Sequence, residues 1–322
     1  VSATPVARGV WCWPALLPGV AVVLDAIYPL PFGEAALGLL WLDIAALTCL
    51  VWATVGSRRA RHGDWATPMD GRAVAAIVIA LLHVIAQSGA GAPMQWLHQF
   101  AAIGVCYYAL GARLRREPLA PDAVWPSFAM VGLALSAFTL AHVTAGTEAL
   151  AAASAQVDVS WASNAGTAKT LVLVTILCAG RAAEPGARAL WPVTALVGAL
   201  AVVLHGLSGG LGLRTSALSS LDEPFYFGTA IVLMMFMFGL ARAAWQLVRD
   251  RPAESARWRS TAVTFVVAVG MLIFGGTSGG EGVRTVLVLA AAATIASTFA
   301  PRAKAGAGAS LAEAEPPARK AA

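Results

Sequence analysis

Apolar runs of about 20 residues recur along the whole chain, separated by short polar or glycine- and proline-rich breaks. A run of that length, wound as a helix rising about 1.5 Å per residue, matches the roughly 30 Å hydrocarbon core of a bilayer. Within the runs Leu, Val and Ala follow one another without the strict apolar–polar alternation of a barrel strand. Lipid offers no partner to a backbone amide or carbonyl, so a segment crossing it outside a closed barrel must be helical. The pattern predicts ten spans, near residues 10–30, 35–56, 73–90, 96–112, 124–146, 166–181, 190–207, 225–246, 260–276 and 283–300. The expected fold is an all-α, polytopic transmembrane bundle. The first run is read as a span, not a cleaved leader, because it is long enough to cross and further spans follow it.

Composition agrees with the pattern: 58% of the 322 residues are hydrophobic and only 12% charged. That is more apolar surface than a soluble fold of this size hides. The formal charge of +5 invites a nucleic-acid partner, but the position of the basic residues removes that reading. With the N-terminus inside, the segments on the cytoplasmic side hold Arg8, then Arg58, Arg59, Arg61 and Arg72, then Arg113, Arg115 and Arg116, then Arg181 and Arg188. Arg242, Arg249, Arg251, Arg257 and Arg259 follow, and Arg302, Lys304, Arg319 and Lys320 close the set. Only Lys169, Arg214 and Arg284 of the 22 basic residues fall elsewhere. Positive charge stays on the cytoplasmic side of a membrane protein, so both termini are expected there and the expected partner is lipid, not nucleic acid. The chain divides into a short N-terminal segment (1–9), a two-helix hairpin (10–56), an eight-helix bundle (73–300) and an Ala- and Pro-rich tail (301–322) expected to be disordered.

This orientation sorts the histidines. His83, His98, His142 and His205 all fall in the outer half of their helices, and only His62 lies in a cytoplasmic loop. An ionisable side chain inside a bilayer is costly and marks a functional site unless it only bonds a neighbouring helix or headgroup water. His83 and His98, on adjacent helices joined by a tight turn, form the leading candidate pair for a metal, with His142 and His205 next. Imidazole ligates copper, and methionine thioether suits Cu(I), which adds Met94 and Met271 as weaker candidates. Met234, Met235 and Met237 in "LMMFMF", with Asp25 and Asp43, are candidates for a pathway, although methionine in a membrane helix is more often packing. The cysteines, Cys12, Cys49, Cys106 and Cys178, lie in cytoplasmic halves without ligand spacing and are read as apolar packers. Phosphate-binding, HExxH, GxSxG and CxxC motifs are absent, so transfer is expected and catalysis is not. "HGLSGGLGLRT" (205–215) echoes "GGTSGGEGVRT" (275–285), and "HVIAQSGAG" and "HVTAG" end other outward helices, which suggests repeated hairpins with Gly275 replacing the last histidine.

"WLHQFAAIGVCYYALG" (96–111), followed by "FTLAHVTAGTEALAA" (138–152) and "SNAGTAKTLVLVTILCAGR" (163–181), resembles the copper resistance protein D (CopD) family over about residues 90–185. The matching positions are His98, Ala101, Ala102, Gly104, Gly166, Lys169 and Arg181. A tryptophan that the family carries after the histidine is missing, and Tyr107 and Tyr108 stand where small residues are usual. The resemblance implies a multi-pass inner-membrane protein, bacterial in type, that takes copper from a periplasmic carrier, with His98 and Lys169 as the family's helix histidine and lysine. The same fold grouping resembles the HemJ-type protoporphyrinogen oxidases, whose His and Lys pair is associated with haem. This leaves a haem b electron-transfer protein as one alternative, with Lys169 then a cofactor residue and a single haem in the outer leaflet. A non-catalytic anchor subunit of a larger membrane complex is the other.

Overall fold

The computed structural model describes residues 14–27, 41–55, 65–86, 91–116, 120–153, 165–207, 224–275 and 281–299. Among these residues there are ten α-helices and no strand. They are α1 (Leu17–Ile27), α2 (Trp41–Val55), α3 (Asp70–Ala86), α4 (Gly91–Arg116), α5 (Trp125–Ala153), α6 (Ala165–Ala182), α7 (Leu190–Leu207), α8 (Pro224–Asp250), α9 (Ser255–Gly275) and α10 (Glu281–Phe299). One helix lies in each predicted run. The segments 122–146, 231–250 and 252–273 are long and apolar enough to cross a membrane. Shorter apolar helices lie at 14–24, 41–55, 190–206 and 282–298. In α5 the backbone leaves helical geometry at Gly146, with φ of 78° and ψ of 162°. A side chain there would strain the left-handed backbone, so glycine stops the helix at the predicted boundary before another turn continues.

Polar contacts align the helix ends. Arg116 at the end of α4 donates to the Ala53 carbonyl of α2 at 3.1 Å, and Arg115 donates to Ala66, ahead of α3, at 2.7 Å. Arg257 at the start of α9 binds Glu184, just past α6, and Asp122, just before α5. Arg251 between α8 and α9 donates to Ser297 near the end of α10 at 3.0 Å. Even-numbered helices therefore finish, and odd-numbered helices start, at one shared end, the arginine end. His83, His98, His142 and His205 lie toward the opposite ends of their helices, at what we term the histidine end.

Close packing comes from small residues, as is usual where lipid supplies no hydrophobic drive between helices. A Cβ on Gly180 of α6 would fall 2.9 Å from the Ala256 carbonyl of α9 and against the Ser260 side chain. At the histidine end a Cβ on Gly282 would fall 2.7 Å from Thr170 Oγ1, so the starts of α6 and α10 nearly touch. Trp125, Phe128, Trp258 and Phe265 fill the core toward the arginine end, and Leu171, Leu173, Leu177 and Leu240 extend it. The first two helices belong to this bundle: α1 packs on α2, α5 and α10, and α2 packs along α4.

Candidate functional site

The seam between α2 and α4 brings chemistry-bearing residues together. His98 Nε2 lies 2.9 Å from Asp43 Oδ1. Each side chain is about one-fifth exposed, at 23% and 22%. The two helices run parallel. Farther along the seam Ala46 and Ala102 pack together. Beyond them lie Cys49 and Cys106, both buried and close to one another, with the Cys49 thiol donating to the Pro14 carbonyl at 3.5 Å. From Asp43 to Cys49 is six residues and from His98 to Cys106 eight, so the thiols sit about 9–12 Å farther toward the arginine end. Reading these cysteines as unrelated packers missed this meeting. Equal depth in two cytoplasmic halves was the available signal, but the face of each helix was not known.

The other candidates fall in different places. His142 and His205 stand on α5 and α7, which pack side by side. A Cβ on Gly132 of α5 would lie 2.9 Å from Thr194 Cγ2 of α7. His142 is ten residues beyond Gly132 and His205 eleven beyond Thr194, so the two imidazoles are level on parallel helices. His205 is 1% exposed, and the Nδ1 of His142 is buried without a hydrogen-bond partner. His98 instead faces α2, on a different pair of helices from those that carry His142 and His205. The helical positions of His83, Met94 and Asp25 are described, but their side chains lie outside the described residues. His62 and the tail 301–322 also lie outside them. Among the described residues no three His, Cys, Asp or Glu side chains gather as a metal cluster.

The methionines divide as well. Met235 is 54% exposed on the outside of α8, whereas Met234 packs on the core. Met237 and Met271 line a cavity of about 520 Å³ enclosed mainly by α3, α4, α8, α9 and α10. Its walls are otherwise aliphatic and aromatic, except that Arg72, Lys169 and Arg284 also border it. The described histidines do not line it.

A second cluster was not foreseen in the sequence. Arg257, 3% exposed, grips Glu184 with Nε–Oε1 of 2.8 Å and Nη2–Oε2 of 3.0 Å, a two-pronged charge-assisted contact. Arg181 also binds Glu184, and Arg257 reaches Asp122. The guanidinium of Arg257 lies 5.3 Å from the Trp125 ring centroid, and that of Arg181 lies 5.9 Å from that of Trp191. These arginines, expected from the sequence to mark topology, also knit α5, α6 and α9 together. No family model, curated protein or solved structure matches the chain.

Proposed function

We propose that this chain is a ten-span protein of the plasma membrane, with both termini in the cytoplasm, that accepts copper at its outer face from a periplasmic carrier. The Asp43–His98 pair is the observation that carries the reading. A carboxylate bonded to one ring nitrogen of a histidine sets the tautomer and raises the basicity of the other nitrogen, the usual support for a metal-ligating imidazole. With Nε2–H donating to Asp43, the lone pair on Nδ1 is the ligand. Two thiols farther along the same seam offer softer donors, which suit Cu(I) better than imidazole does. The ion then has two stations on one pair of helices, separated by the small side chains of Ala46 and Ala102. The partial resemblance to the CopD family points the same way, as does the gathering of imidazoles away from the arginine end.

The test is the metal content and visible spectrum of the purified protein after loading with Cu(I). Stoichiometric copper without a Soret band is expected. His98→Ala should lower occupancy about tenfold or more, and Asp43→Asn by less, because it removes support and not a ligand. A Soret band, or unchanged copper in His98→Ala, overturns the proposal.

A further inference from the structure

We infer that the face of α5 turned toward α7 lines a blind crevice that binds a short file of water molecules, open at the histidine end and closed at Gly132. Ser136, Thr139 and His142 follow one another at three-residue spacing along α5. Ser136 is wholly buried, Thr139 is 1% exposed, and His142 beyond them is partly exposed. Ser136 Oγ, Thr139 Oγ1 and His142 Nδ1 are each buried without a hydrogen-bond partner. A helix can satisfy such hydroxyls by itself. Thr144, Thr170, Thr194, Thr261 and Thr294 each donate to the carbonyl four residues back, at 2.7–2.8 Å. Ser136 and Thr139 make no such bond, so their hydroxyls turn away from the backbone of α5.

The neighbouring helices add polar groups at the same place. A Cβ on Gly198 of α7 would lie 3.7 Å from Ser136 Oγ and press on Thr175 Oγ1 of α6, so the missing side chain brings a further hydroxyl beside the stripe. His205, 1% exposed, stands seven residues beyond Gly198, on the same face of α7 two turns on. Toward the arginine end the seam shuts. A Cβ on Gly132 would lie 2.8 Å from Val174 Cγ1 and 2.9 Å from Thr194 Cγ2. Spacing selects the occupant. Side chains three residues apart on a helix stand about 5–6 Å from one another, too far for a direct hydrogen bond of about 2.8 Å. One water bonded to both spans about 5.6 Å. Water also donates and accepts, which a hydroxyl and a neutral imidazole both require. Ser136 lies ten residues from Gly146, about 15 Å along the axis and near the middle of the apolar segment 122–146. Lipid at that depth supplies no substitute partner, and buried water is the usual one. The crevice therefore carries water and its exchangeable protons from the histidine end to the middle of the bundle. It lies between other helices than the Asp43–His98 pair and is independent of the copper reading.

The full chain in lipid vesicles, copper-free and isotope-labelled at serine and threonine, provides the test by magic-angle-spinning NMR. Magnetisation is started on water protons and followed into the side chains. Thr294, wholly buried with its hydroxyl bonded to the Ala290 carbonyl, is the dry reference. Ser136 and Thr139 should receive water magnetisation several times faster than Thr294. Thr139→Val replaces the hydroxyl by a methyl of similar size and should slow transfer to Ser136 to the Thr294 rate, because the file passes Thr139 to reach it. Thr139→Ser keeps the hydroxyl and should keep the transfer. The unfolding temperature answers the same question by its sign. A hydroxyl bonded to water is lost in Thr139→Val, so the temperature should fall, whereas removing a hydroxyl stranded in a dry seam should raise it. Transfer to Ser136 and Thr139 at the Thr294 rate, or a raised unfolding temperature in Thr139→Val, would overturn the water file. Transfer to Ser136 that is unchanged by Thr139→Val would overturn the route from the histidine end.

Discussion

The two ends of the bundle handle charge in opposite ways. At the arginine end cations meet carboxylates, backbone carbonyls or aromatic rings: Arg257 with Glu184 and Asp122, Arg116 with Ala53, Arg113 5.1 Å from the Trp52 ring centroid. At the histidine end polar side chains face partly open spaces. The Asp43–His98 pair is about one-fifth exposed, His142 has an unbonded buried nitrogen, and Lys169 and Arg284 border a cavity. The first arrangement ties α5, α6 and α9 together through paired charges, although Arg181 Nε and Trp125 Nε1 there are buried without a hydrogen-bond partner. The second leaves room for something to bind. The contrast predicts where substitutions will cost stability and where they will cost binding.

The largest effect should come from breaking the arginine end. Arg257→Met leaves Glu184 buried without its two-pronged partner, and removing one member of such a pair typically costs about 3–5 kcal/mol. Thermal unfolding in detergent should fall sharply. The double variant with Glu184→Gln should recover only part of the loss, because Arg181 still pairs with Glu184 in the single variant and loses that partner in the double. Next comes Gly180→Val, which overfills the α6–α9 contact at Ala256 and Ser260 and should cost about 1–3 kcal/mol by the same measurement.

At the histidine end the readout should invert. Asp43→Asn weakens a partly exposed histidine–carboxylate hydrogen bond, a change of about 1 kcal/mol, so unfolding should barely move while copper occupancy falls. A stability loss comparable to that of Arg257→Met would erase the distinction between the ends. The smallest effect belongs to Met235→Leu, on the exposed flank of α8. Stability should stay within about 0.5 kcal/mol, with copper content unchanged. A drop in copper there would return Met235 to the pathway.

Much of the fold was legible along the chain. A helix lies in each predicted span, and the backbone breaks at Gly146, where "HVTAG" predicted an end. The site was legible only as a collection of parts. His98 and Asp43 were both candidates, but their meeting spans 55 residues of sequence and joins a helix of the N-terminal hairpin to the main bundle. The buried role of Arg257 was hidden because Glu184 lies 73 residues away and Asp122 lies 135 away, while each arginine already had a sufficient reason to sit where it does.

The sequence by itself determined how many apolar helices form, how their ends alternate and which end gathers the guanidinium groups. Those properties follow from hydropathy and charge summed over about 20 neighbouring residues, which lipid reads one segment at a time. Only the tertiary structure decided that imidazole meets carboxylate between α2 and α4, that two buried thiols lie one step farther along that seam, and that two cations border an apolar cavity. Sideways association in lipid depends on the fit of small residues and polar contacts between particular helix faces, because no hydrophobic gain distinguishes one neighbour from another.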